Sequence, residues 1–154
     1  MIAKKHMFPG AMTWLIALLA GLVTLFGCSP VDSNASLRAS DARIRAPVGD
    51  QRVTAAYLTL HNPTDQDYDL VRVDSDMADT IELHTIIRDG DMTRMRRLDR
   101  LLVPAGGTLA LAPGGVHLMI FGLTQPLRDF HATLTAADGR TLRVSFDIIP
   151  PGGQ

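Results

Sequence analysis

The chain of 154 residues has one cysteine, Cys28, and no lysine after Lys5. A lone cysteine excludes an intramolecular disulfide, a CxxC redox pair and any zinc site built on several thiolates. Fifteen basic side chains stand against sixteen acidic ones, so no excess of positive charge points to a nucleic acid. No P-loop, glycine-rich nucleotide fingerprint or Ser–His–Asp pattern is present. Aromatics make up only 5% of the chain, yet 46% of it is hydrophobic, which excludes disorder throughout. The length suits one ordinary domain with an appendage.

The appendage is at the N-terminus. Lys4 and Lys5 form a short positive segment, and an apolar stretch follows from about Ala11 to Phe26. That order, closed by the small residue Gly27, reads as a secretory signal over residues 1–27. It is short for a bilayer-spanning helix, which needs about 20 apolar residues. Leu25-Phe26-Gly27-Cys28 resembles the lipobox of bacterial lipoproteins, with Phe26 where Ala or Ser is usual. The resemblance implies cleavage before Cys28, acylation of that cysteine as the mature N-terminus and a lipid anchor in the membrane. Ser29, rather than Asp, next to the cysteine implies the outer membrane. Residues 28–40, rich in Ser, Asn, Asp and Ala, read as the lipidated cysteine and a flexible tether. Residues 41–149 then form the domain, and 150–154, Pro-Pro-Gly-Gly-Gln, a disordered end.

The domain reads as all-β. Short segments rich in β-branched and apolar residues cover 42–46, 53–61, 69–73, 80–87, 92–98, 108–111, 116–123, 131–136 and 141–149. Between them lie turn signals such as Asn62-Pro63, Asp89-Gly90, Pro113-Gly114-Gly115 and Asp138-Gly139. Spacing near ten residues, without a helical period, predicts a β-sandwich or Greek-key barrel.

Chemistry without thiols has to come from histidine and methionine. His117 and Met119 are two apart in one strand and therefore share a face. His84 and Met95 flank Asp89-Gly90, a strong two-residue hairpin signal. With Asp89 and Gly90 as the central turn residues, His84 faces Met95, Ile87 faces Met92, and Arg88 faces Asp91. Two imidazoles with two thioethers make a soft set that selects Cu(I) over zinc and over hard ions.

His84-x10-Met95-x21-His117-x-Met119 resembles the metal-binding pattern of the periplasmic PCu(A)C-type copper chaperones. Ala55-Ala56-Tyr57-Leu58-Thr59-Leu60, Ile81-Glu82-Leu83-His84 and Pro113-Gly114-Gly115-Val116-His117-Leu118-Met119 are similar to that family as well. The resemblance implies a cupredoxin-like barrel that holds one Cu(I) near its surface and is not an enzyme. It also implies delivery toward the CuA centre of cytochrome c oxidase subunit II, alongside Sco-type proteins, on the periplasmic side of a membrane. Many relatives carry a His/Met-rich tail; Pro150 to Gln154 contains no ligand, so one site is expected.

The remaining candidates have plainer readings. His61 precedes Asn62-Pro63 and reads as a solvated turn histidine, while His131 has no partner in its own segment and reads as structural. Met92, an odd number of residues from Met95, should face away from the copper; Met77 is either a lid or a loop residue. Arg94, Arg96, Arg97 and Arg100 form a basic run that is most often a solvated face. The rival functions are a copper enzyme, a copper store and a metal-free β-sandwich scaffold. A redox enzyme would favour a thiolate or several imidazoles, and two histidines with two methionines and no free thiol in the exported chain argue against it.

Overall fold

The computed structural model describes residues 36–153; the signal, Cys28 and the first part of the tether lie outside the described residues. Every regular element among those residues is a strand: β1 (Arg38–Arg45), β2 (Val53–His61), β3 (Tyr68–Asp74), β4 (Thr80–Asp89), β5 (Met92–Leu98), β6 (Leu101–Val103), β7 (Thr108–Leu111), β8 (His117–Phe121), β9 (His131–Ala136), β10 (Thr141–Ser145) and β11 (Asp147–Ile149). A seven-stranded sheet runs β11-β1-β2-β8-β4-β5, with β7 also paired to β2; a four-stranded sheet runs β10-β9-β3-β6. Residues at alternate positions point to opposite faces of a strand, so each sheet turns its apolar set inward. Ile44, Ala56, Leu58, Leu60, Leu83, Leu118 and Ile120 from the first sheet meet Tyr68, Leu70, Val103, Ala132 and Leu134 from the second.

Three boundaries differ from the sequence expectation. Leu37 is buried in the core and β1 starts at Arg38, so the domain takes in the last residues assigned to the tether. The segment 141–149 is two strands, not one. Its apolar alternation continues through Phe146, but the chain changes sheet there, with the Phe146 amide donating to the Phe130 carbonyl at 2.8 Å and the two rings packing edge to face. At the C-terminus the end is tied down through residue 153. The Gly153 amide closes a turn on the Pro150 carbonyl at 2.9 Å, and Arg45 Nε donates to the Gly153 carbonyl at 3.0 Å.

Asn62, at the end of β2, is the buried polar side chain with the most demanding set of partners. Its Nδ2 donates to the carbonyls of Gln66, Val103 and Pro104 at 2.8, 3.0 and 3.1 Å, and its Oδ1 accepts from Thr64 Oγ1 at 2.7 Å. Those bonds tie the 62–66 turn to β6. Asn62→Ala would strip buried carbonyls of their donor, so a loss of about 2–3 kcal/mol in unfolding free energy is expected from urea titration.

Candidate functional site

The outer face of the seven-stranded sheet, turned away from the core, carries the candidate ligands. β4 and β8 are antiparallel neighbours in which His84 pairs with His117 and Glu82 with Met119. The two imidazole rings lie with centroids 6.1 Å apart. On the other side of β8, Met119 pairs with Ala55 of β2. Alternation therefore puts His117 and Met119 outward while Leu118, between them, is wholly buried in the core.

The β4–β5 hairpin departs from the expected register. His84 pairs with Arg97, Met95 with Ile86, Ile87 with Arg94, Arg88 with Thr93, and Met92 with Asp89. The turn residues are Gly90 and Asp91, because β4 runs on through Asp89. Gly90 takes φ +58° at the first turn position, where a type II′ hairpin places glycine. The slip amounts to two residues, and two is the repeat of a strand, so every side chain keeps its face. Met95 stays on the side of His84, one diagonal step away, within reach of a long side chain. Met92 falls on the opposite face.

Met95, His117 and Met119 line one cavity of about 250 Å³, together with Arg45, Ala55, Tyr57, Ile86, Pro113 and Gly114. His84 flanks it beside His117. His117 is buried at 4% exposure, whereas Met95, on the edge strand, is 52% exposed. The loop between β7 and β8 contributes Pro113 and Gly114 to the cavity lining. It is closed by the Ala112 amide on the Val116 carbonyl at 2.8 Å and by the Gly115 amide on the Ala112 carbonyl at 3.1 Å. Gly114 within it takes φ +79°, a conformation that glycine adopts without strain. The same loop orients His117: its Nδ1–H donates to the Gly115 carbonyl at 3.0 Å, which leaves Nε2 with the lone pair.

His84 is held differently. Its Nε2 lies 2.8 Å from Glu82 Oε2, and Arg97 donates to Glu82 Oε1 at 3.0 Å. The hydrogen bond from His84, with Arg97 beside it, holds the Glu82 carboxyl below the usual carboxylate range. His84 Nδ1 is buried and has no hydrogen-bond partner among the described residues. An orphaned imidazole nitrogen next to a second imidazole and two thioethers suits a soft cation. Among the described residues no three His, Cys, Asp or Glu side chains gather around a metal position.

Sequence reasoning missed Glu82, Arg97 and Tyr57 as parts of this face. Glu82 and Arg97 belong to it through the pairings just given. Tyr57 is buried with its ring 6.5 Å from that of His117, and the Arg45 guanidinium lies over it at 5.3 Å. The spacing Glu82-x-His84 places both on one face and was the available signal. The other candidates are elsewhere. His61 bonds to Ser40 Oγ at 2.9 Å and Thr108 Oγ1 at 3.2 Å. His131 Nε2 is 3.6 Å from Asp76 Oδ1, and Met77 packs against the core.

The family whose model is described as "Putative lipoprotein LpqE-like" matches residues 37–148, which is nearly all of the described domain. The chain belongs to that family. A putative lipoprotein of Leifsonia xyli subsp. xyli is 34% identical over 100 residues, covering 62% of this chain and 60% of the relative. An uncharacterised protein of Rickettsia prowazekii is 32% identical over 69 residues, 44% of this chain and 38% of that one. The matches thus span less than two thirds of these relatives' own length. Among solved structures, apo-DR1885 from Deinococcus radiodurans is 30% identical, with a TM-score of 0.57 over 97% of this chain and 95% of its own. The CuI form of DR1885 is 36% identical, with a TM-score of 0.57 over 78% of each chain. The copper-bound PCuAC domain from PmoF2 has a TM-score of 0.62 at 18% identity, over 80% of this chain and 97% of that one, and shows the shared fold. The fold that this chain shares with these solved domains is a cupredoxin-like β-sandwich.

Proposed function

We propose that this LpqE-like protein is an exported, lipid-anchored copper chaperone that binds one Cu(I) through His84, Met95, His117 and Met119. The observation that carries the reading is the meeting, on one outward face, of two imidazoles and two thioethers, with one imidazole nitrogen buried and unpaired. Its 36% identity to a protein solved in a CuI form supports the choice of metal. Thioethers carry no proton to lose, so the set serves where thiols oxidise. The exposed Met95 on the edge strand is the ligand an acceptor reaches first, which suits release by stepwise ligand exchange.

The acceptor class is a soft site with a tighter hold; the CuA centre of cytochrome c oxidase subunit II, reached with a Sco-type protein, is the proposed destination. The lipoprotein relatives support the anchor. Under this reading residues 1–27 are removed, Cys28 is acylated and Ser29 directs the chain to the outer membrane, facing the periplasm.

A competition titration with a chromophoric Cu(I) chelator under reducing conditions tests the binding claim. One equivalent should be retained by the wild type and lost in His84→Ala/Met119→Leu; retention by the folded variant removes these residues from the site. The anchor has its own test. Cys28→Ala should abolish palmitate labelling in cells and leave the domain's copper affinity unchanged, and any label in that variant rejects acylation at Cys28.

A further inference from the structure

Glu82 has no part in the ligand pattern, yet it is the side chain that fixes how His84 sits. Its carboxylate, an acceptor only, takes the Nε2–H of His84 at 2.8 Å. An imidazole that donates from Nε2 and is neutral keeps its lone pair on Nδ1, and Nδ1 is the buried, unpartnered nitrogen. His117 is arranged the opposite way, with Nδ1–H spent on the Gly115 carbonyl and Nε2 left with the lone pair.

We infer that Glu82, braced by Arg97, is a positioning residue that presents Nδ1 of His84 to the metal, so that the site takes one Nδ1 and one Nε2 ligand. The inference rests on the copper reading above. The brace crosses strands: Glu82 and His84 are on β4, and Arg97 is on β5, two residues from Met95. A carboxylate behind a ligating imidazole fixes ring orientation and raises its basicity, and losing such a partner costs roughly 10–100-fold in metal affinity. Because Arg97 and Met95 share one strand and one face, displacement of β5 would loosen the thioether and the Glu82 brace together.

The test uses the chain from residue 28 onward, labelled with 15N and held in detergent. In the metal-free wild type, long-range 1H–15N correlation should show the proton of His84 on Nε2. On loading with Cu(I), the Nδ1 signal should shift and the Nε2 proton persist. In Glu82→Leu the two tautomers should mix and Cu(I) affinity should fall roughly 10–100-fold, with the backbone spectrum otherwise unchanged. Glu82→Gln, which keeps an acceptor oxygen, should recover most of both. A copper-loaded wild type with His84 bound through Nε2 overturns this inference alone, and so does an unchanged tautomer in a folded Glu82→Leu. No Cu(I) binding by the folded wild type overturns the copper reading itself.

Discussion

His117→Ala is expected to lower Cu(I) affinity on the order of 100-fold, the largest effect of any single substitution on this face. A four-ligand soft site at neutral pH is held by roughly 10–16 kcal/mol in the structural zinc case, so one ligand of four is worth close to 3 kcal/mol, or two decades. His117 should exceed the exposed Met95 because it is buried and already oriented by the Gly115 carbonyl, which leaves little ordering cost on binding. Water can replace the exposed Met95 thioether at the edge strand more readily than it can reach the buried His117. Chelator competition measures both; a His117→Ala affinity within threefold of wild type would take the imidazole out of the site.

The second large effect separates binding from folding along three consecutive residues. Leu118 is wholly buried between outward-facing His117 and Met119. Leu118→Ala removes buried methyl groups from the middle of a sheet and leaves a cavity, so about 3 kcal/mol of stability should be lost, with a range of 2–5. In a domain of this size that lowers Tm by roughly 10 °C. The fraction that stays folded should bind Cu(I) as before, since the outer face is untouched. Met119→Leu nearly conserves volume and should show the reverse pattern: stability within about 1 kcal/mol of wild type and weakened Cu(I) binding. Thermal unfolding and chelator competition on both variants check the contrast. A Leu118→Ala protein as stable as the wild type would contradict the sandwich packing.

What was legible in the sequence follows from which interactions are local. The segments 53–61, 92–98, 108–111 and 131–136 were bounded by their turn signals and coincide with β2, β5, β7 and β9. The shared face of His117 and Met119 needed only the strand repeat. The hairpin register needed the turn type, and Asp89-Gly90 is compatible with two of them; the observed slip of two residues left Met95 on the right face because of that same repeat. β6, three residues between Arg100 and Pro104, was too short to carry a period. The break at Phe146 was invisible because the apolar alternation continues across it while the chain changes sheet. Glu82 was within reach of the strand repeat through its spacing to His84, but Arg97 and Tyr57 could be placed only once strand pairing was known, since each meets its partner from another strand.

The ligand set is the central claim, and X-ray absorption at the copper edge of the Cu(I)-loaded Cys28→Ser chain tests it most directly. With the cysteine gone, every sulfur near the metal is a methionine thioether. Two sulfur and two nitrogen scatterers should be seen in the wild-type site, with one sulfur lost in Met95→Leu and one in Met119→Leu. A coordination shell without sulfur, or one that neither substitution alters, would contradict the account.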